Sequence, residues 1–294
     1  MPLNHFKNYL SFEKKYSAHT ITSYLNDLND FSAFLKANYD LEIQQANVKQ
    51  IRAWISILSQ RNLSANSINR KIASLKSFYK FLLKTDSIEK NPTTGISTMK
   101  SGRKIPLPFS ETEMQNVLDE SIFADDFEGK RDHLIIHLFY TTGMRRAELI
   151  NLKVSDIDFS KKEVKVLGKR NKERIIPLLN ETLDLLYRYI DIRKTIDIQD
   201  QDFLFLTKKG KKMYDVLVYR LINSYLGKVS VKHKKSPHML RHTFATHLLN
   251  KGADLNSIKE LLGHTGLAAT QIYTHSGMQE LKKIYNKAHP RSKK

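Results

Sequence analysis

The sequence predicts a mainly α-helical protein of two domains, with a small antiparallel sheet in the second domain. Three observations support this fold class. Apolar side chains recur at helical spacing through most of the chain, whereas a proline- and glycine-containing stretch near residue 100 has no such periodicity. Two short runs rich in valine and isoleucine flank a Gly-Lys-Arg-Asn turn in the second half. A chain of 294 residues is long enough for two domains.

The first domain, residues 1–88, is predicted to consist of helices. Apolar residues follow one another at spacings of three and four in stretches that begin near Thr20, Ile51 and Ser64. Ser64 can cap the third of these helices, because a serine hydroxyl accepts a hydrogen bond from the first turn. We expect Trp54 to be a core residue.

The third predicted helix has a polar face, for which there are two interpretations. Its members are Asn69, Arg70, Lys71, Ser74 and Lys80. One interpretation is an ordinary solvated surface. Given the charge of the chain, we favour contact with a DNA backbone, with Arg70 and Lys71 as the residues that bind.

The charge of the chain indicates a polyanionic partner. Lysine and arginine number 49 against 30 acidic residues, which gives a net charge of +19. The excess is spread over both halves of the chain and is not confined to a tail. Such a distribution is typical of proteins that bind nucleic acid, and the binding should weaken strongly with salt.

Residues 89–108 are predicted to form a linker between the two domains. They contain Asn91-Pro92, two glycines and two further prolines, without helical periodicity. The segment also contains basic residues, of which Arg103 and Lys104 are expected to follow DNA phosphates.

The second domain, residues 109–294, is predicted to be mostly helical. It opens with a capping box formed by Ser110 and Glu113. A buried helix over residues 134–140 should end before Gly143, where a positive φ is expected. Further helices are predicted over residues 180–194, 214–226, 238–250 and 254–262, and a last one near residues 278–287.

A β-hairpin is predicted between the second and third helices of this domain. Residues 163–166 and 174–176 have the composition of short strands. The turn between them carries Lys169 at or near its tip.

Several classes of protein are excluded by composition. Cysteine is absent, so disulfides, thiolate nucleophiles and cysteine-bound zinc are ruled out. The first residues lack the pattern of a signal peptide, and no apolar run approaches the roughly 20 residues of a membrane span. The segment 208–212 lacks the glycine spacing of a phosphate-binding loop. We therefore expect a cytoplasmic protein without a membrane-inserted segment.

Four segments that are far apart in the sequence together carry the groups needed for phosphodiester transfer. An arginine fork binds two phosphate oxygens and stabilises developing charge. A tyrosine near cations can attack phosphorus, and a lysine can protonate the leaving oxygen. The residues concerned are Arg145 with Glu148, Lys169 after Gly168, His238 with Arg241, and His264 with Tyr273.

Each of these segments has an ordinary interpretation when taken alone. Arg145 could simply pair with Glu148 at a helix start. His238 and His242 stand four apart like half of a zinc site, but Met239 occupies the position where a His-Glu-x-x-His motif has glutamate. We therefore predict no metal and no other cofactor.

Taken together, the segments resemble the tyrosine recombinases, and most closely the bacterial Xer recombinases that resolve chromosome dimers. The resemblance extends over nearly the whole chain. It is carried by Ser17-x-x-Thr20-x-x-x-Tyr24, by Gly168-Lys169-x-Asn171-Lys172-Glu173-Arg174, by His238-x-Leu240-Arg241-His242, and by Leu262-Gly263-His264 through Tyr273-Thr274-His275. The resemblance implies an N-terminal helical core-binding, SAM-like clamp and a tyrosine-recombinase catalytic domain, closing together around DNA.

The resemblance also implies which groups hold the phosphate. Arg145 and Arg241 would clamp the scissile phosphate. His238 and His264 would hydrogen-bond its oxygens, and His238 is a candidate to take the phenol proton. Glu148 would orient an arginine without taking part in the reaction.

The remaining two roles implied are nucleophile and acid. Tyr273 would attack phosphorus and form a 3′-phosphotyrosyl intermediate. Lys169 would protonate the 5′ oxygen, with Lys172 as its rival. Neither ATP nor a metal would be required.

The partners that the resemblance implies are a double-stranded DNA recombination site and further recombinase subunits. Four protomers, identical or shared with a paralogous recombinase, would assemble on two sites. The C-terminal segment 276–288 would dock in a cyclic exchange, or would be an ordinary packing helix. A septal DNA translocase is a candidate activating partner.

Three alternative functions remain open from the sequence. An integrase of a phage or conjugative transposon would use the same chemistry at other sites. A type IB topoisomerase would relax DNA without exchanging partners. A non-enzymatic architectural DNA-binding protein would leave the predicted catalytic residues without a use.

Overall fold

The computed structural model describes residues 2–100, 102, 106–168, 172–263 and 275–293. The chain divides into two units, Met1–Lys104 and Ile105–Lys294. The predicted fold class is confirmed, because both units are largely helical and a three-stranded antiparallel sheet lies in the second. No described helix is both long enough and apolar enough to cross a membrane.

The first unit contains four α-helices among its described residues, one more than the sequence predicted. Helix α1 had no clear periodicity and is followed by a π-helical turn over Tyr9–Glu13. The helices are α1 (Pro2–Asn8), α2 (Ala18–Tyr39), α3 (Val48–Gln60) and α4 (Ala65–Lys84).

Polar side chains begin the three predicted helices of this unit. Ser17 caps α2, Asn47 caps α3 and Ser64 caps α4, each by accepting a backbone N–H of the first turn. The bond from the Ser67 amide to the Ser64 hydroxyl is 3.2 Å long. The predicted cap at Ser64 is therefore confirmed. These bonds satisfy donors that have no partner inside the helix.

The core of the first unit is built around aromatic side chains. Trp54 is 2% exposed and its ring centroid lies 4.9 Å from that of Phe31, so its predicted core position is confirmed. Tyr79 is buried, and its hydroxyl donates to the Ile43 carbonyl at 2.6 Å. Burial of large apolar side chains from α2, α3 and α4 supplies most of the stability of such a bundle.

The predicted polar face of α4 is partly a buried interface with α2. Asp27 is 2% exposed and accepts from Arg70 at 2.5 Å and from Ser74 at 2.8 Å. Lys71 lies 2.6 Å from Asp30 and 3.4 Å from Asp27. The exposed position expected for Ser74 is wrong, because its hydroxyl satisfies the buried carboxylate of Asp27. The DNA contacts of Arg70 and Lys71 stay predictions. Both side chains already form ion pairs with carboxylates of α2.

Part of the predicted linker packs on the first unit. Ile96 is 6% exposed and belongs to the same apolar core as Trp54. The Asn69 side chain binds the Met99 backbone twice, donating to its carbonyl at 2.9 Å and accepting from its amide at 2.7 Å. Arg103 and Lys104 lie outside the described residues, so their predicted phosphate contacts stay predictions.

The second unit contains eight α-helices among its described residues. The helices predicted from periodicity are confirmed, although α6 begins seven residues before its predicted start and other boundaries differ by a few residues, whereas the short α7 was not predicted. They are α5 (Glu111–Val117), α6 (Phe127–Thr142), α7 (Arg146–Ile150), α8 (Asn180–Arg193), α9 (Asp215–Val229), α10 (Pro237–Asn250), α11 (Leu255–Leu262) and α12 (His275–Ala288).

Three antiparallel strands form the sheet, in the order β1-β2-β3. The strands are β1 (Ile157–Asp158), β2 (Glu163–Leu167) and β3 (Glu173–Pro177). Val164 pairs with Ile176 and Val166 with Arg174, which places these four side chains on the buried face. The predicted hairpin is confirmed. Lys169, at its predicted tip, lies outside the described residues.

The centre of the second unit is α6, which packs against α8 on one side and α10 on another. The capping box of α5 is formed by Ser110 and Glu113 as predicted. The described side chains of α12 pack on the same unit: Tyr285 is buried and donates to the Thr141 carbonyl at 2.7 Å. The C-terminal helix is thus part of the core of its own chain in this structure.

We expect Ser64→Ala to lower the free energy of unfolding of the first unit by about 1 kcal/mol, because the first turn of α4 loses its cap. Trp54 is the only tryptophan of the chain and is buried beside α4. Its fluorescence in a denaturant titration therefore reports on this unit alone. Ser56→Ala is the matched control, since Ser56 is an exposed residue inside α3. Equal midpoints for the two variants would contradict the capping role.

Candidate active site

The structure describes four of the seven residues of the predicted site. Three of the seven lie outside the described residues, namely Lys169, His264 and Tyr273. The other four are Arg145, Glu148, His238 and Arg241. Arg145 directly precedes α7 and Glu148 lies on it, whereas His238 and Arg241 lie on α10. The side chains of both arginines reach the C-terminal end of α11.

Glu148 accepts two hydrogen bonds from Arg145 at the start of α7. Arg145 precedes the helix, and its backbone amide donates to Glu148 Oε2 at 2.7 Å. Its guanidinium Nη1 donates to Glu148 Oε1, also at 2.7 Å, and Nη2 donates to the Gly263 carbonyl at 3.3 Å. These bonds hold the guanidinium in place. Since the Arg145 side chain is 31% exposed, the guanidinium also remains accessible to solvent.

Glu148 is shared with a second arginine, Arg174 on β3. Arg174 Nη1 and Nη2 donate to the two carboxylate oxygens at 2.9 and 2.8 Å, in the bidentate geometry that a guanidinium favours. Burial alone would raise the pKa of Glu148. The hydrogen bonds and charge of Arg174, together with those from Arg145, outweigh burial and hold this pKa at about 2.

Arg241 is buried on α10, with 6% of the residue exposed. Its Nη1 donates to the Gly143 carbonyl at 2.6 Å and its Nη2 to the Leu262 carbonyl at 2.7 Å. Burial, and then the nearby charges of Arg145 and Arg174, lower its pKa to about 10. Arg241 is therefore charged at neutral pH, in a place where an added anion would be strongly favoured.

Three consecutive carbonyls at the end of α11 each accept a hydrogen bond from a different arginine. Leu261 accepts from Arg174 Nε at 2.9 Å, next to the bonds that Leu262 and Gly263 receive from the other two arginines. A helix C-terminus has unpaired carbonyls and a partial negative charge, so it suits cations. We refer to this arrangement of Arg145, Arg174 and Arg241 around α11 as the arginine cluster.

The arginine cluster lies next to two of the predicted residues outside the described part of the chain. Gly263 ends α11 with a φ of +64° and directly precedes His264. Gly168 directly precedes Lys169, and a Cβ added at Gly168 would lie 3.6 Å from Glu148 Oε1. The chain therefore leads from the cluster into both the predicted histidine and the predicted lysine.

His238 lies in the first turn of α10, where its side chain is exposed. Ser236 caps this helix and Pro237 occupies its first position, which suits a residue without an N–H. Residues three apart lie on one face of a helix, so His238 and Arg241 share a face of α10.

Sequence reasoning missed Arg174 as a member of the site, although the residue stood in a quoted motif. The alternation of β3 offered a signal, since Arg174 has the same parity as the buried Ile176. An arginine on the buried face of a strand needs a partner of opposite charge. The only nearby acidic residue of the predicted site was Glu148.

The described residues contain no group of three or more histidine, aspartate or glutamate side chains arranged to hold a metal ion. The geometry instead provides three guanidinium groups and one carboxylate. This excess of positive charge at a partly open site suits a phosphate group.

An arginine-lined site on a helical scaffold, in a chain of high net positive charge, suits an enzyme that acts on phosphate groups of DNA. Comparison with protein families agrees with this class. Residues 109–280 match the phage integrase family, and residues 3–86 match the N-terminal SAM-like domain of phage integrases. The chain belongs to the phage integrase family and is a tyrosine site-specific recombinase.

Curated relatives resemble the chain over almost its whole length. It is 39% identical over 285 residues to tyrosine recombinase XerC of Staphylococcus carnosus (strain TM300), covering 97% of this chain and 96% of that protein. It is 38% identical over 297 residues to tyrosine recombinase XerC of Anoxybacillus flavithermus (strain DSM 21510 / WK1), covering 99% and 98%. The chain is thus a recombinase of the XerC type.

Solved structures show a similar fold. The XerH site-specific recombinase bound to palindromic difH substrate, in a post-cleavage complex, has a TM-score of 0.72 at 23% identity, covering 90% of this chain and 78% of that one. At this level of identity the likeness establishes the fold alone.

We expect Gly143→Ala to destabilise the second unit by at least about 1–2 kcal/mol, because Gly143 has a φ of +60° that disfavours a side chain. The added Cβ would also lie 2.4 Å from Phe244 and 2.8 Å from Leu262. Calorimetry of the full chain measures the loss. Gly227→Ala is the matched control, since its Cβ would meet nothing within 4 Å in α9, and it should stabilise by about 0.5–1 kcal/mol. A Gly143→Ala protein as stable as the wild type would contradict this account of the turn.

We expect Glu148→Gln to make the stability of the second unit less dependent on pH in acid. A folded pKa of about 2, against an ordinary value of 4.5, stabilises the fold by about 3 kcal/mol above pH 4.5. This contribution is lost as the pH falls from about 4.5 to about 2. The free energy of unfolding of wild type and variant is measured by calorimetry at several pH values. The difference between the two should therefore shrink as the pH falls through that window.

The control for this experiment is Glu120→Gln, which removes an exposed ion pair with Arg188. Exposed pairs contribute little, so this variant should follow the wild type at every pH. A constant difference between wild type and Glu148→Gln from pH 6 to pH 2 would show that the carboxylate is not held by the arginines.

Proposed function

We propose that this recombinase cuts and rejoins DNA through a 3′-phosphotyrosyl intermediate formed on Tyr273, and that it resolves chromosome dimers at a terminus site before cell division. The observation that carries the proposal is the arginine cluster. Two arginines that are far apart in sequence, Arg145 and Arg241, converge on the end of α11, one residue before His264. Such convergence gives a phosphate two positively charged forks at one place.

The phosphate would be bound before the reaction by Arg145 and Arg241. Both guanidinium groups are fixed by hydrogen bonds to protein, so little reorganisation is needed when negative charge develops on the non-bridging oxygens. His238 shares a face of α10 with Arg241 and would donate to one of these oxygens. His264, which follows Gly263, would bind another.

Cleavage would exchange one phosphodiester for another. The Tyr273 oxygen attacks phosphorus, the new bond to the tyrosine forms, and the bond from phosphorus to the 5′ oxygen breaks. His238 accepts the phenol proton, and Lys169 supplies a proton to the departing 5′ oxygen. The products are a 3′-phosphotyrosyl enzyme and a free 5′ hydroxyl.

Rejoining would reverse these steps with a 5′ hydroxyl of the partner duplex. The energy of the original bond is kept in the phosphotyrosine, so no step requires ATP. The proposed residues supply charge stabilisation and both proton transfers, so no step requires a metal ion or other cofactor either. Lys172 is the alternative proton donor, and it lies on the other side of the hairpin turn.

The two units would then have separate roles. Residues 1–88 would act as a DNA clamp, residues 89–108 as a linker and residues 109–294 as the catalytic domain. Four protomers, of this chain alone or with a paralogous recombinase, would bind two double-stranded sites in the cytoplasm. The segment 276–288 would mediate exchange between protomers, and a septal DNA translocase would activate the assembly.

The chromosomal role is favoured over that of a mobile-element integrase by the curated relatives. The two XerC proteins compared above match this chain over 96% and 98% of their own length. The fold itself does not separate the two roles, because the Tn1549 transposon integrase in complex with transposon right-end DNA has a TM-score of 0.73 at 20% identity, covering 96% of this chain and 99% of that one.

The test is covalent trapping on nicked duplexes that carry the terminus recombination site of the host chromosome. Cleavage beside the nick releases a short fragment, so the intermediate accumulates. With a chelator present and ATP omitted, we expect wild type to form a protein–DNA adduct. Tyr273→Phe should bind the same duplex and form none, because it lacks the nucleophilic oxygen.

The outcomes separate the alternatives. An adduct that survives in Tyr273→Phe would overturn the assignment of the nucleophile. An adduct that requires a metal would overturn the proposed chemistry. Binding and cleavage of mobile-element ends, without any reaction at the terminus site, would favour the integrase.

A further inference from the structure

Arg174 has no role in the reaction proposed above, yet its guanidinium group makes three hydrogen bonds with the protein. It donates to both oxygens of Glu148 and to the Leu261 carbonyl, with distances between 2.8 and 2.9 Å. It is 4% exposed, and all three nitrogens of its guanidinium already donate to acceptors of the protein. Its partners belong to α7 and α11, whereas Arg174 belongs to the sheet.

We infer that Arg174 is a positioning residue of the recombinase, which holds Glu148 and the end of α11 so that Arg145 and the residues after Gly263 meet the scissile phosphate. The inference rests on the proposed phosphate site. It adds to that site a residue that does not touch the DNA.

The first argument concerns the charge of Arg145. Glu148 accepts from both arginines, and Oε1 alone receives Arg145 Nη1 at 2.7 Å and Arg174 Nη1 at 2.9 Å. A carboxylate shared in this way neutralises neither arginine fully. Without Arg174, the carboxylate would pair with Arg145 alone and lower its attraction for a phosphate.

The second argument concerns geometry. A guanidinium is a rigid planar fork, so bonds from its Nη atoms to Glu148 and from its Nε to Leu261 fix α7 and α11 relative to each other. Gly263 lies against the same side chain, since a Cβ added there would be 3.0 Å from Arg174 Cδ. The backbone that leads to His264 is therefore packed on Arg174.

The third argument concerns the hairpin. Arg174 on β3 pairs with Val166 on β2, and Val166 lies two positions before Gly168. The Gly168 amide donates to the Lys172 carbonyl at 2.8 Å, which closes the base of the turn that contains Lys169. One side chain therefore connects the strand that returns from the predicted lysine with the helix that precedes the predicted histidine.

We expect Arg174→Gln to slow adduct formation on the nicked duplex by roughly 10- to 100-fold, the usual effect of losing a residue that orients a reactive group. The rate is measured with the full chain at saturating protein. Affinity for the duplex, measured separately, should change by no more than about twofold, because one phosphate is only one of the many that a DNA-binding protein contacts.

The variant Arg174→Lys keeps the positive charge but loses the planar guanidinium, so it distinguishes an effect of charge from an effect of hydrogen-bond geometry. Lysine cannot reproduce the planar fork, so Arg174→Lys should remain slower than wild type. Full recovery of the wild-type rate in Arg174→Lys would overturn the positioning role, because charge alone would then suffice.

The matched control is Arg193→Gln. Arg193 is another buried arginine of the second unit, 9% exposed, and it donates to the backbone carbonyls of Gln201 and Phe203 at 2.7 and 2.9 Å. Both variants should lower the unfolding temperature, but only Arg174→Gln should slow cleavage. Equal cleavage rates in the two variants would show that Arg174 acts only on stability.

A second measurement does not depend on activity. Hydrogen–deuterium exchange at residues 261–263 should be faster in Arg174→Gln than in wild type or Arg193→Gln, because the end of α11 loses an anchor. Unchanged exchange would overturn the inference even if cleavage were slow. Absence of an adduct in wild type would instead count against the proposed function, and the exchange result would still decide the role of Arg174.

Discussion

The candidate site depends on the end of α11, where backbone carbonyls hold three arginines. A carbonyl is a neutral acceptor, so it fixes a guanidinium without cancelling its charge, unlike a carboxylate. Leu262 holds Arg241 in this way, and Leu261 and Gly263 hold Arg174 and Arg145. A site that must bind an anion can therefore be rigid and still strongly positive. Preorganised charge of this kind is the main source of catalysis in reactions that develop negative charge.

A single carboxylate completes the balance. Three buried or half-buried guanidinium groups repel one another, and the lowered pKa of Arg241 reflects burial and then the charges of Arg145 and Arg174. Glu148 reduces this repulsion while remaining ionised, with a pKa of about 2: it pairs with Arg145 and Arg174, and its charge acts on Arg241 as well. With one carboxylate against three guanidinium groups, the site has an excess of positive charge. The folded protein thus keeps uncompensated positive charge at this site, which a phosphate group of DNA can neutralise.

Much of the fold, but less of the site, could be predicted from the sequence. Helical periodicity located the longer helices, and the composition around Gly168 located the hairpin. The short α7 has too few residues to show a period, and Ser74 was placed on the surface because a small polar residue gives no sign of a buried carboxylate partner such as Asp27. Arg145 and Arg241 were predicted as a pair by resemblance, since their separation in sequence says nothing about distance. Their carbonyl partners were not predictable, because every residue type has a carbonyl.

The position of α10 is determined at both ends by hydrogen bonds whose direction can be worked out. Its C-terminal half carries His247, whose Nε2 lies 2.8 Å from the Phe109 carbonyl and whose Nδ1 lies 2.9 Å from the Tyr140 hydroxyl. A carbonyl only accepts, so Nε2 donates. Burial lowers the pKa of His247, which keeps the ring neutral, and Nδ1 must then accept from Tyr140. Protonation would break that bond. The helix that carries Arg241 is therefore held by neutral, directional bonds at one end and by charge-assisted bonds at the other, so the arginine enters the site from a fixed support.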